Sequence, residues 1–262
     1  MQLFVMKTPS AVRWSCLFLL MAGSNLTTVA QSPFGTVGRG PRFDGHMAKL
    51  FGEHKAFTCL VDIDATAPDR PEPVGLTGRL DFSDGKSRFQ MDLTKIRGGM
   101  TTGMIEQVKA MGMSDLIIVN RPDTGSGLLI YPGLKSYAKL DESAPRTDPE
   151  QYKIEAKEVG REKINGQDTV KNQVVVTAPD GKKFQSMVWN APALKKFPVR
   201  VQSTEGGTPF TLTFRDLKFE KPSASMFEPP NAFTKYDDVG ALMRGAAMKK
   251  LGESKAPAPK SK

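Results

Sequence analysis

The sequence predicts a mainly β protein of the α+β kind: a strongly curved antiparallel sheet, an open half-barrel, with a few short helices over its concave face. Three observations predict this. Apolar and polar residues alternate in many short runs, the period of a half-buried strand. Turn-forming pairs, Asp84-Gly85 and Asn165-Gly166 foremost, punctuate those runs. Only a few stretches, the longest over residues 239–251, carry the spacing of an amphipathic helix.

The first residues read as an export signal. Lys7 and Arg13 give positive charge, Trp14–Gly23 is apolar, and Thr28-Val29-Ala30 ends in small residues. The apolar run is shorter than the roughly 20 residues of a spanning helix and fits a secretory leader cleaved near Ala30. The uncleaved alternative is an anchor. Residues 31–42 are rich in Gly, Pro and Ser and read as a flexible lead-in to a domain over 43–236. Cys16 falls within the leader and lacks a small-residue lipobox before it. Cys59 alone is left in the mature chain, so no intramolecular disulfide is expected.

A short helix is expected over Asp44–His54, where Met47, Leu50 and Phe51 share a face. Phe57, Cys59, Val61 and Ile63 then alternate, as do Leu76, Leu80 and Phe82, and a turn at 83–86 leads to Phe89, Met91 and Leu93. Residues 97–114 break the rhythm and read as an insertion with a helix over Met104–Met113. Strands return at 116–119, 127–131 and 136–140, with turns at Pro122-Asp123-Thr124-Gly125 and Pro132-Gly133. Asn165-Gly166 joins the next pair, 154–164 and 169–177, and Pro179-Asp180-Gly181 leads to 184–189. One helical turn capped by Asn190 is expected before Val199 and Val201. The face of Phe210, Leu212 and Phe214 changes phase at Leu217, which predicts a bulge near Arg215-Asp216. About ten strands result, and no internal repeat stands out. Residues 237–262 read as a short helix and a disordered basic tail.

The formal charge of +9 is unevenly spread: the leader carries +2, residues 249–262 carry +4, and the body between keeps +3. No basic groove with interleaved aromatics is visible, so nucleic acid is not an expected partner. The tail reads as solvated, with contact to an anionic membrane surface as the alternative.

Little in the chain suggests catalysis. His46 and His54 are the only histidines and miss the i, i+4 zinc spacing, so no metal is expected. Gly-x-Ser-x-Gly is absent, and Thr124-Gly125-Ser126-Gly127 lacks the lysine of a phosphate loop. Asp62 and Asp64 share a strand face, but nothing in the sequence gives either a working pKa. Asp237-Asp238 is explained as N-terminal helix charge. The expectation is a protein that is not an enzyme and uses no cofactor.

Several segments carry a family resemblance. They are Gly85-Lys86-Ser87-Arg88-Phe89-Gln90-Met91, Leu129-Ile130-Tyr131-Pro132-Gly133-Leu134-Lys135-Ser136-Tyr137 and Gly160-Arg161-Glu162-Lys163-Ile164-Asn165-Gly166. Further along come Ala193–Val201, Phe214-Arg215-Asp216-Leu217-Lys218 and Lys221–Pro230. Together they resemble the LolA/LolB-like superfamily of outer-membrane lipoprotein-sorting carriers, over roughly residues 50–236. The resemblance implies a half-barrel closed by helices around an apolar cavity, in a periplasmic protein that holds a lipid or an acylated peptide or lipoprotein. Arg88 stands where the family often has an arginine beside the cavity; the alternative is a surface strand arginine. The Met-rich insertion and the basic tail depart from the pattern, and no lipoprotein-docking motif is present.

On this reading Phe57, Val61, Leu80, Phe89, Met91, Met187, Trp189, Leu212 and Phe214 face inward and line the cavity, while Met104, Val108 and Met111 form a lid. Alternation supports an inward face for the first set but does not separate an open pocket from a packed core. The rival expectation is an envelope structural or interaction protein with a filled core, binding a partner through a sheet edge or the tail.

Overall fold

The computed structural model describes residues 43, 45–66, 73–98, 100–140, 148–205 and 208–255. The expected leader, the whole of the lead-in and the last residues of the tail lie outside them.

Twelve strands form one open sheet. They are β1 (Ala56–Ala65), β2 (Val74–Ser83), β3 (Lys86–Asp92), β4 (Asp115–Arg121), β5 (Ser126–Tyr131), β6 (Ser136–Leu140), β7 (Lys153–Ile164), β8 (Gln167–Thr177), β9 (Lys183–Ala191), β10 (Phe197–Glu205), β11 (Thr208–Lys218) and β12 (Thr234–Tyr236). The order is β12-β6-β5-β4-β3-β2-β1-β11-β10-β9-β8-β7. Every pairing is antiparallel except β12 with β6. The helices are α1 (Gly45–Leu50), α2 (Thr102–Ala110) and α3 (Val239–Lys255). The mainly β, open antiparallel architecture is the one expected, with β12 as an added strand too short to show in the sequence pattern.

Local chemistry explains the elements. Asp84 and Gly85 have φ of 50° and 84°, and Asn165 and Gly166 have 49° and 79°, the paired positive values of a tight hairpin turn. The Thr101 hydroxyl accepts from the Met104 N–H and starts α2, and Asp238 accepts from the Ala241 N–H and starts α3. The β1–β11 register slips between Thr58 and Leu60, opposite Asp216 at φ 53°, which is the expected bulge. The turn after β9 differs from expectation. Its cap position is Ala191, with no side-chain bond, because Asn190 is still in the strand and uses its amide elsewhere.

Side chains on one sheet face meet α1. Phe51 packs against Phe57, Phe82, Phe197 and Phe214 at ring distances of 4.9, 5.0, 5.9 and 5.9 Å, and Phe43 lies 5.5 Å from Phe89. Met47 and Leu50 are buried beside them. Gly78 belongs to this face because the Phe89 ring fills its side-chain space: a Cβ there would lie 2.2 Å from Phe89 Cζ. A second core covers the opposite face of β4 and β5, where Ile117, Val119, Leu128 and Ile130 pack on Phe227, with Tyr137, Met226 and Phe233 at its margin.

Candidate functional site

Seven of the nine residues expected to face inward share the α1 face: Phe57, Val61, Leu80, Phe89, Met91, Leu212 and Phe214. All seven are buried, in the part of the face occupied by Phe43, Met47, Leu50 and Phe51. Met187 and Trp189 lie on the opposite face. Val188, between them, pairs with Val201, while Met187 pairs with Gln202 and Trp189 with Arg200. The segment Phe184–Trp189 has apolar residues in both phases, so size alone pointed the wrong way. Lys171 Nζ lies 4.8 Å from the Trp189 ring centre, with the Arg200 guanidinium at 5.9 Å. Trp189 also donates its indole N–H to Glu162. That bond, with Lys171 and Arg200 nearby, holds the Glu162 carboxyl below its usual range.

Arg88 also points away from α1. It pairs across strands with Val119, donates to Asp81 at 3.1 Å and to Gln90 at 2.9 Å, and shares the wholly buried Asp81 carboxylate with Arg79 at 2.9 Å. Its place is an ion-pair ladder rather than a cavity wall. In the expected lid, Val108 is buried and Met104 and Met111 are half-buried, so α2 packs on the domain through this stripe. Cys59 is buried, and its burial, followed by the Asp81 charge, pushes the thiol well above its usual range. The His46 ring stacks on Phe184 at 3.9 Å, and His54 Nε2 lies 3.1 Å from the Lys195 carbonyl oxygen. Among the described residues no group of His, Cys, Asp or Glu is placed to hold a metal.

The α1 face is not filled throughout. Beside α1, over β7, β8 and β9, a groove of about 600 Å³ lies open, within the size range of small-ligand sites. Period-2 alternation builds its floor. Ala156 pairs with Val174, Asn172 pairs with Val188, and Val170 pairs with Asn190, so these side chains rise on one face. Ile154 extends the floor to the sheet edge and is 45% exposed. Leu50 and Gly52 form the wall at the end of α1, and Pro192 forms the wall at the turn after β9.

The groove's polar groups form a chain. Asn172 donates to Asn190 Oδ1 at 3.0 Å, and Asn190 donates to the Lys196 carbonyl at 2.8 Å. This ladder anchors the turn, in which Lys195 and Lys196 both hold positive φ, 51° and 61°. Lys49 and Lys196 stand on the lining, and Glu158 is neutralised by Arg161 at 2.9 Å. A larger cleft of about 870 Å³ lies near Phe184 and Phe210, but polar and charged side chains, Gln173, Gln185, Gln202, Ser203 and Lys183 among them, make up most of its wall. The smaller groove has the apolar floor that a hydrophobic ligand requires. Alternation at Ile154, Ala156, Val170 and Val174 was its sequence signal; nothing in the sequence said that α1 would stop short of it.

No family model and no curated protein matches the chain. Among solved structures, the chain is similar to a LolA superfamily protein from Nitrosomonas europaea, at 13% identity and TM-score 0.36, covering 69% of this chain and 93% of that one. It is similar to a domain from Vibrio parahaemolyticus described as an outer membrane lipoprotein-sorting protein, at 12% identity and TM-score 0.35, covering 69% and 92%. It is also similar to the MucA/MucB complex of Pseudomonas aeruginosa, at 14% identity and TM-score 0.37, covering 72% of this chain and 61% of that one.

Proposed function

We propose that this chain is an exported, non-enzymatic binding protein of the periplasm that holds a lipid or a lipoprotein acyl chain in the groove between α1 and β7–β9. One observation carries this reading: the α1 face is packed with aromatic side chains across β1, β2, β10 and β11 but leaves an open apolar floor over β7–β9. Each methylene seated there adds roughly 0.8 kcal/mol of favourable burial. The sequence of the first 30 residues supports export, and the superfamily resemblance fits an acyl-chain ligand.

A second reading has one observation of its own. β7 is a long, exposed edge strand whose outer hydrogen-bonding groups face no other strand of the sheet. A partner strand could add there. The bulge between Glu158 and Gly160 and the side chains of Lys153, Lys157, Arg161 and Lys163 blunt that edge, which favours the groove.

The test is native mass spectrometry of the mature protein isolated from its own host, with extraction of bound lipid, beside the variant Ala156→Asp. Ala156 is exposed on the groove floor, so the variant is expected to keep its fold and lose its ligand. Protein that stays empty after incubation with lipids and acylated peptides would overturn this reading and leave the edge strand as the better site.

A further inference from the structure

The groove is apolar along its floor and unevenly charged at its lining. It holds two cationic side chains, Lys49 at the end of α1 and Lys196 in the turn after β9. Its single carboxylate, Glu158, is neutralised within its own strand by Arg161. Among the described residues neither Lys49 nor Lys196 has a carboxylate within ion-pair distance. The remaining lining is Leu50, Gly52, Pro192 and the β-strand floor, whose two asparagines bond to each other and to the Lys196 carbonyl. The groove therefore carries an uncompensated positive charge of two beside an apolar floor.

Lys196 is held there by the fold. Its positive φ and the bond from Asn190 to its carbonyl fix the backbone of the turn, so the ammonium is carried on a braced segment. Lys49 comes from the last turn of α1, a helix seated by the aromatic cluster around Phe51.

The geometry points to an anionic amphiphile as the occupant: a lipid whose chain lies on Ala156, Val170 and Val174 and whose phosphate or carboxylate head meets Lys49 and Lys196. This rests on the groove being a ligand site and adds the selection of the head group. The lysines are positioned to discriminate between lipids of the same chain, because a zwitterionic head brings its own cation to the same place.

The test is calorimetric titration below the micelle concentration with two probes that share one palmitoyl chain, lysophosphatidylglycerol and lysophosphatidylcholine. Wild-type protein is expected to prefer the anionic lipid by about tenfold at low salt, the scale of two solvent-facing charge pairs acting together. The preference should shrink as salt screens the charges. The double variant Lys49→Gln/Lys196→Gln is expected to bind both lipids alike, with its affinity for lysophosphatidylcholine unchanged. Lys135→Gln/Lys139→Gln removes the same charge from the far end of the sheet and should keep the preference. Equal binding of both lipids by wild-type protein, or equal loss in the two double variants, would overturn the head-group assignment while leaving the groove a ligand site. Binding of neither lipid would overturn the groove itself.

Discussion

Strands β4, β5 and β6 are joined by Pro122-Asp123-Thr124-Gly125 and then by Pro132-Gly133-Leu134-Lys135. Strands β8, β9 and β10 are joined by Pro179-Asp180-Gly181 and then by Pro192-Ala193-Leu194-Lys195. The second turn is built alike in both: a short tight helix ends on a lysine in left-handed conformation, φ 49° and 51°, whose N–H returns to the proline carbonyl at 3.0 and 3.2 Å. With the same local design, the two regions meet different surroundings. In the first, Leu116, Ile118 and Leu129 are buried on one face, and Ile117, Val119, Leu128 and Ile130 are buried under Phe227 on the other. In the second, the outer strand β7 is exposed along nearly its whole length, and the adjoining floor stays open as the groove. The difference lies in what each region was given as a cover. Among the described residues, the chain after β11 returns to the first region, where it meets β3, β4 and β6, while the groove of the second stays open. Strand and turn sequences fix how a sheet is made, whereas segments distant in sequence decide which part of it can still bind something.

The largest expected effect breaks the covered region. Phe227 is buried at the centre of its second core, and Phe227→Ala removes a ring that nothing nearby can replace. A loss of about 4 kcal/mol in unfolding free energy is expected by denaturant titration. A loss under about 1 kcal/mol would mean that the segment around residues 224–236 is a loose strap and that the two regions are less different than their burial implies.

A smaller effect acts on the seam between the regions, where β2, β1 and β11 meet. Asp62 accepts from Thr77 at 2.6 Å and from Arg215 at 2.7 Å, so one carboxylate ties three strands together. Burial alone would raise its pKa, but the bonds from Arg215 and Thr77 outweigh burial and hold it below the usual value. The folded pKa is the lower one, so the stabilisation is complete above the unfolded value near 3.9 and disappears as pH falls through the folded one. Asp62→Asn should therefore cost about 1.5 kcal/mol at neutral pH and make the thermal midpoint less sensitive to acid below about pH 4. An identical acid profile in the variant would place the acid sensitivity elsewhere, with Asp84, Asp92 and Asp123 the next carboxylates held low.

Much of this architecture was legible because its determinants are local. The hairpin turns at Asp84-Gly85 and Asn165-Gly166, the alternation of Phe57 through Ile63, and the bulge at Asp216 each depend on a few neighbouring residues, and each is present. The site was less legible because its determinants are not local. Phe57, Phe89 and Phe214 carry the alternation of one sheet face and lie on the α1 face, but only the long-range seating of Phe43 and Phe51 shows that their space is occupied. Met187 and Trp189 outsize Val188, yet the pairing of Val188 with Val201 puts both on the opposite face. Arg88 was expected beside the cavity only by resemblance, and the buried Asp81 opposite it fixes its direction.

The smallest effect on stability is the one that sharpens the comparison most. Ile154 lies on the groove floor of the edge strand and is 45% exposed, a large apolar side chain that the fold leaves in water. Ile154→Ser removes apolar surface that is only partly buried in the protein alone, so the unfolding free energy should fall by about 1 kcal/mol, a fraction of the loss at Phe227. The same surface becomes buried when an acyl chain lies on the floor. Binding of palmitoyl lysophosphatidylglycerol should then weaken by about tenfold, the scale of a lost side-chain burial of 1–2 kcal/mol. A residue whose loss costs far less stability than Phe227 and still weakens binding is what separates an open floor from an incomplete core. If Ile154→Ser instead destabilises the protein as Phe227→Ala does and leaves lipid affinity untouched, the second region is as closed as the first, and the groove is not where this protein meets its ligand.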